Sequence, residues 1–166
     1  MSAYKETIAD FLAVEFENFY KNTIFPKNIL PRLFSAVRHD RRQFLIDFDQ
    51  LQLESQSRRQ FIIYLCNFEN IIGYVYATPT LMVDENGTEE LALEIIASDL
   101  VKNLIITQTI EKSEDGIKIL GRRATLLTKD DSWLPYTNLI SEKAEKSDSH
   151  FEELWLNIKD KIHWVR

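Results

Sequence analysis

Arg58-Arg59-Gln60-Phe61-Ile62-Ile63-Tyr64-Leu65-Cys66 and Ile117-Lys118-Ile119-Leu120-Gly121-Arg122-Arg123-Ala124-Thr125-Leu126-Leu127 decide how this chain is read. Both are apolar runs rich in isoleucine and leucine, and both carry an arginine pair. Each reads as a β-strand. Ile71 to Ala77 is a third such run, and Phe68-Glu69-Asn70 is short enough to join it to the first as a hairpin. Successive strand residues point to opposite faces, so one arginine of each pair is expected on a covered face and the other outward. A guanidinium presents a planar fork of donors that matches a carboxylate. Parity leaves open which member of each pair is covered; at least one of Arg59 and Arg123 is the candidate ligand-facing arginine, with a structural ion pair as the competing role.

Outward from this middle, Tyr4, Ile8, Phe11, Leu12, Phe16 and Phe19 recur at helical steps, which predicts a helix over Ala3 to Tyr20. Pro31 suits the first turn of a short helix, Arg32 to His39. Gln43 to Leu53 alternates and reads as a strand. Pro79 ends the strand begun at Ile71 or lies at a sheet edge. After the turn Asp84-Glu85-Asn86-Gly87, the composition of Glu89 to Ala97 favours a helix. Asn103 to Glu111 and Ile117 to Thr128 read as strands joined at Glu114-Asp115-Gly116. Trp133 to Ile140 is a further strand interrupted by Pro135, and Phe151, Leu154, Trp155 and Ile158 mark a C-terminal helix. The expected fold is α+β: an antiparallel sheet of about five to six strands with N-terminal, central and C-terminal helices.

The 166 residues fit a single domain spanning 1–166. A hydrophobic share of 45% supports a core, and a formal charge of −6 argues against a nucleic-acid partner recruited by net charge. The single cysteine, Cys66, excludes an intrachain disulfide and reads as a small core residue in a reducing compartment. No apolar run approaches the ~18 residues of a membrane span, and Met1-Ser2-Ala3-Tyr4-Lys5-Glu6 lacks a signal pattern, so a cytoplasmic location is expected. His39, His150 and His163 are not at metal-ligand spacing, and no serine has a nucleophile-elbow pattern around it. No metal or cofactor is expected. The acidic pairs Glu89-Glu90 and Asp130-Asp131 read as a helix start and a turn. Arg38-His39-Asp40-Arg41-Arg42 reads as a solvated helix end or a patch for an acidic partner.

In order of segments, Arg58 to Ile140 resembles chorismate lyase, which forms 4-hydroxybenzoate and pyruvate from chorismate. Arg59 to Cys66 resembles that family's Arg-bearing first hairpin strand, and Ile71 to Pro79 its partner strand. Asp99 to Leu104 resembles the segment leading into its next strand, and Gln108 to Lys112 a short Thr-rich stretch. Leu120-Gly121-Arg122-Arg123-Ala124 resembles its Gly-Arg-Arg-Ser strand, and Tyr136-Thr137-Asn138-Leu139 its closing strand. The resemblance implies a chorismate-lyase-like fold around a pocket for an anionic, aromatic carboxylate, with Arg59, Arg123 and Asn138 at the ligand. The family carries a functional glutamate where Asn138 stands, and an amide cannot act as a carboxylate acid or base. The implied function is thus ligand binding; pyruvate elimination, which needs no cofactor, is its catalytic version.

A different reading is a protein-interaction or inhibitor-type module. The acidic balance, the absence of a catalytic cluster and the aromatic C-terminal helix motivate it. An amphipathic stripe most often seals its own domain, and that is the expectation for Phe151, Trp155 and Ile158.

Overall fold

A computed structural model of the chain describes residues 7–127, 136–137, 139–142, 149–159 and 163–165. Helix α1 (Ile8–Phe19) is followed by a π-helical turn, Tyr20–Ile24, and a short 3-10 turn, Phe25–Lys27. Strands β1 (Leu33–Arg38) and β2 (Gln43–Asp47) form a hairpin, and α2 (Ser55–Phe68) follows. Four long strands come next: β3 (Ile71–Val83), β4 (Glu89–Asp99), β5 (Asn103–Ser113) and β6 (Gly116–Leu127). Helix α3 (Ser149–Ile158) and the three-residue strand β7 (His163–Val165) close the chain. The described strands form one antiparallel sheet in the order β6-β5-β4-β3-β1-β2-β7. No described helix is long and apolar enough to cross a membrane.

The α+β class and the antiparallel sheet agree with the sequence reading; four elements do not. The strand expected over Gln43 to Leu53 ends at Asp47, whose side chain accepts from the Asp49 N–H and starts the 3-10 turn Phe48–Leu51. Arg58 to Phe68 is helix, not the first strand of a hairpin. All of Phe61 to Cys66 is buried, because α2 packs on the sheet and Phe151 of α3 packs against its Phe61 and Tyr64. A helix covered on two sides shows a continuous apolar run, which periodicity cannot separate from a buried strand. Arg32 to His39 is not a helix either; β1 runs between β2 and β3 with Phe34 and Ala36 on one face and Leu33 and Val37 on the other. Both faces are covered, so no polar alternation marks the strand. Glu89 to Ala97 forms β4 instead of a helix. Leu93, Ile95 and Ala97 pack under α1, and pairing to β3 and β5 along the strand overrides the helical composition. The expected strand Trp133 to Ile140 lies largely outside the described residues; within it Tyr136 and Thr137 form a turn and Leu139–Ser141 a 3-10 turn.

Two cores flank the sheet. Under α1, Ala9, Leu12 and Phe16 meet Val75, Ile95 and Ile106. Asp99, 4% exposed, ties this helix to the β4–β5 turn. Its Oδ2 accepts from the Ala9 N–H at 2.9 Å, and its Oδ1 from the N–H groups of Val101 at 2.7 Å and Lys102 at 2.9 Å. Burial raises this carboxyl's pKa, but the hydrogen bonds outweigh it and hold the group below its usual value. Lys102 Nζ and Asp10 Oδ2 pair at 2.5 Å beside it. On the opposite face, α2 and α3 cover Phe34, Phe44, Tyr74 and Tyr76. Trp155 of α3 stacks against Phe44 at 5.2 Å and donates its indole N–H to Glu69, so the C-terminal stripe seals its own domain. Tyr74 Oη donates to the Tyr136 carbonyl at 2.6 Å and accepts from the Leu139 N–H at 3.2 Å, which seats that turn on the sheet. Cys66 is buried on α2, and burial pushes its thiol pKa up, so it is an unreactive core residue.

Candidate functional site

Strand parity and register build the site. Pairing places Thr78 of β3, Glu94 of β4, Thr107 of β5 and Arg123 of β6 in one row across the sheet. Opposed residues share a face, so all four point to the side that α2 and α3 cover over β1 to β3. Over β4 to β6 this face opens into a depression of ≈ 500 Å³. Glu94, Thr107 and Arg123 line it, with Ile105 and Leu127 at one end and Glu90 and Met82 at the other. At ~4.8 Å per strand, Glu94 and Arg123 stand ~10 Å apart at the backbone with Thr107 between them.

The arginine pair of β6 divides between the faces, as strand geometry requires. Arg122 turns toward α1, where its Nε donates to Glu17 Oε2 at 2.7 Å and its Nη2 to Glu17 Oε1 at 2.8 Å. This bidentate pair raises the guanidinium's pKa and joins α1 to the edge of the sheet. Arg123 lines the depression. Among the described residues no carboxylate lies within 4.0 Å of it, and no cation within that distance of Glu94 or Glu90. Burial raises the Glu94 carboxyl's pKa, and no neighbouring charge opposes the effect. Tyr76, two residues before Thr78 on the same face, is fully buried in the core beneath α2. Its hydroxyl accepts from Arg58 Nε at 2.9 Å, and Arg58 Nη1 also donates to the Leu53 carbonyl at 2.6 Å. Burial and the nearby Tyr136 push the Tyr76 phenol pKa up to about 12, so it stays neutral.

Arg59, Arg123 and Asn138 are not assembled into one visible site. Arg59 lies on α2, with Nη2 3.9 Å from Glu142 Oε1, and does not line the depression. Asn138 lies outside the described residues. Glu94 was missed because its segment reads as helix. The usable signal was the alternation of Leu91, Leu93, Ile95 and Ala97, which leaves Glu94 on the other face.

The geometry supports binding chemistry. Arg123 can take a carboxylate in a forked pair, and Glu94 can accept from a hydroxyl or an ammonium group. Among the described residues, no group of three His, Cys, Asp or Glu side chains could hold a metal ion. The chain shows no significant match to a protein-family model, to a curated protein or to a solved structure.

Proposed function

We propose that this protein binds a small organic carboxylate in the depression over β4, β5 and β6. Arg123 holds the carboxylate, and Glu94 accepts a hydrogen bond from a hydroxyl or amino group at the ligand's far end. The observation that carries this reading is the shared row: an arginine and a carboxylate without partners among the described residues face one concavity, separated by a threonine. Glu94 is held partly buried with no opposing charge, which lowers stability, and such groups concentrate at functional sites; Arg123 is exposed at the rim of the same concavity. The volume suits a ligand of one or two rings. An aromatic carboxylate with a para hydroxyl, as in 4-hydroxybenzoate, places its two polar ends where Arg123 and Glu94 can both reach. That ligand class is also the one implied by the resemblance of Leu120 to Ala124 to the chorismate lyase strand. Binding without turnover is the version we favour, because Asn138 stands where the chorismate lyase strand carries its functional glutamate.

Thermal unfolding with 4-hydroxybenzoate, 4-aminobenzoate, benzoate and chorismate tests the proposal, with chorismate absorbance followed in the same sample. Stabilisation by the first two beyond benzoate is expected, and its loss in Arg123→Gln. Arg59→Ala serves as the control that retains it. A ligand at a hundred times its Kd adds about 2.7 kcal/mol, well within reach of the assay. No stabilisation by any of the four, or an equal response in Arg123→Gln, removes the proposal.

A further inference from the structure

The β6 edge carries a second binding surface, made of backbone. Among the described residues β6 has one neighbour, β5, so its outer row of N–H and C=O groups has no strand partner. Exposed edges of this length are normally blunted by lysine, proline, a bulge or a covering element, because they accept another strand. The first half of β6 is protected in that way. Lys118 lies there, and the register shifts where Ile110 faces Ile119 and Thr109 faces Gly121, leaving Leu120 as a bulge. From Gly121 to Leu127 the pairing with β5 is regular, and the sequence contains no proline and no lysine. Apolar side chains are exposed along the strand, with Leu120 at 63% and Leu126 at 61%.

Charge selects the occupant. Gly116 to Leu127 contains Lys118, Arg122 and Arg123 and no acid, within a chain of net charge −6; Arg122 is already paired with Glu17 and Lys118 stands opposite Glu111, so Arg123 is the cation the strand offers a partner. Lys21 and Lys118 also line a shallow cavity beside the start of the strand. A second copy is a poor fit. An antiparallel pair of β6 strands gathers both sets of cations into one narrow ribbon, and like charges on facing strands repel. We propose that β6, over Gly121 to Leu127, pairs with an extended acidic peptide segment from a protein partner. Backbone hydrogen bonds supply the docking, as in other strand-addition complexes. A partner carboxylate meets Arg123 on the open face, and apolar partner residues cover Leu126 on the other. The proposal needs the backbone edge, and because a partner carboxylate and a ligand carboxylate share Arg123, the two compete there.

The test uses the full chain and a short fluorescent peptide alternating glutamate and valine, with a lysine–valine peptide as control. The glutamate peptide is expected to bind at least ~10-fold more tightly, more so at low salt. Amide hydrogen exchange should slow across 121–127 when it is bound. Neighbouring residues aim their N–H groups to opposite sides, so one of Ala124→Pro and Thr125→Pro removes an outward donor and spares the β5 ladder. The variant that keeps the native circular dichroism should lose the peptide and keep any small-ligand stabilisation. Equal affinity for both peptides, protection elsewhere, or peptide binding retained in the folded proline variant overturns the proposal. So does a dimer that protects 121–127 without peptide, which would make a second copy the occupant.

Discussion

Gly73→Ala should destabilise this protein, and most of that cost should disappear once Ile8 is shortened. Gly73 lies on β3 between Val37 and Asp99 in the ladder. A Cβ built there falls 2.3 Å from Ile8 Cγ2 and 3.1 Å from Ile8 Cβ. Carbon atoms rest at ~3.5–4.0 Å, so the new methyl overlaps the first residue of α1 by more than an ångström. The helix end cannot slide away freely. The Ala9 N–H is bonded to Asp99, and Asp10 is paired with Lys102. Overpacking at such a pinned contact costs ~1–3 kcal/mol. Ile8→Ala alone opens a partly exposed site and should cost ~1–2 kcal/mol, below the range for fully buried isoleucine. In that background the 2.3 Å overlap with Cγ2 is removed and only the 3.1 Å approach to the Cβ of residue 8 remains. The ~0.5–1 kcal/mol by which alanine outperforms glycine in a strand offsets that residual contact, so Gly73→Ala becomes close to neutral. Urea unfolding of the four proteins, followed by circular dichroism, measures the cycle. The expected coupling is ~2 kcal/mol, and each kcal/mol moves Tm by ~2–4 °C in a chain of this size. An equal cost of Gly73→Ala in both backgrounds would refute the reasoning, because it would mean that Ile8 does not set the approach of α1 to the sheet. The same approach positions Glu17 against Arg122.

Glu94→Gln should raise Tm at neutral pH and leave it unchanged near pH 4. Burial raises the folded-state pKa of Glu94, so its stabilising contribution is present below the unfolded value of ~4.3 and is lost as pH rises through the folded one. A scan of Tm against pH for both proteins checks the sign; a Tm gap that is the same at both pH values contradicts it. The same variant should weaken 4-hydroxybenzoate. Asp99 works in the opposite direction. Its folded-state pKa is lowered, so its contribution is present above ~3.9 and disappears as pH falls through the folded value. Asp99→Asn should cost ~1–3 kcal/mol at pH 7 by leaving the Ala9 N–H facing an amide donor. The deficit relative to the parent should shrink in acid, and a pH-independent deficit would show that the charge contributes nothing.

Much of the sheet was legible because β5 and β6 are exposed on one or both faces, and exposure writes alternation into a sequence. Glu114-Asp115-Gly116 marked the hairpin between them, and Gly116 does adopt φ +120 there. Pro79 was read as an end or an edge. The edge reading holds: β3 continues through Pro79 to Val83, with Pro79 opposite Leu93, beyond the point where β1 stops pairing at Ala77. Only one neighbour remains there, so the missing N–H is tolerated. The buried elements were illegible for the converse reason. Covered on both sides, α2 and β1 lose their polar phase, and Ile62-Ile63 weights a helix toward strand by composition alone.

The site was half legible for a reason that lies in the sheet. Parity along one strand requires Arg122 and Arg123 to face opposite ways whatever pairs with β6, but it does not say which of them faces the concavity. The counterpart of Arg123, Glu94, depends on pairing across two ladders, and that register exists only if Glu89 to Asp99 is a strand. Read as a helix, Glu94 belongs to a solvated face; read as β4, it stands two strands from Arg123 with Thr107 between. Residues at 94, 107 and 123 become neighbours through the β4–β5 and β5–β6 turns. Those turns are set in turn by Asp99, which holds the N–H groups of Val101 and Lys102, and by the close approach of Gly116, whose added Cβ would meet the Phe25 carbonyl oxygen at 2.8 Å. A site made by register is therefore encoded mostly in residues that never touch it. Changes at Asp99 or Gly116 should accordingly disturb ligand binding at Arg123 through the ladder, while substitutions at Arg59, which is nearer to the eye in the sequence, should not.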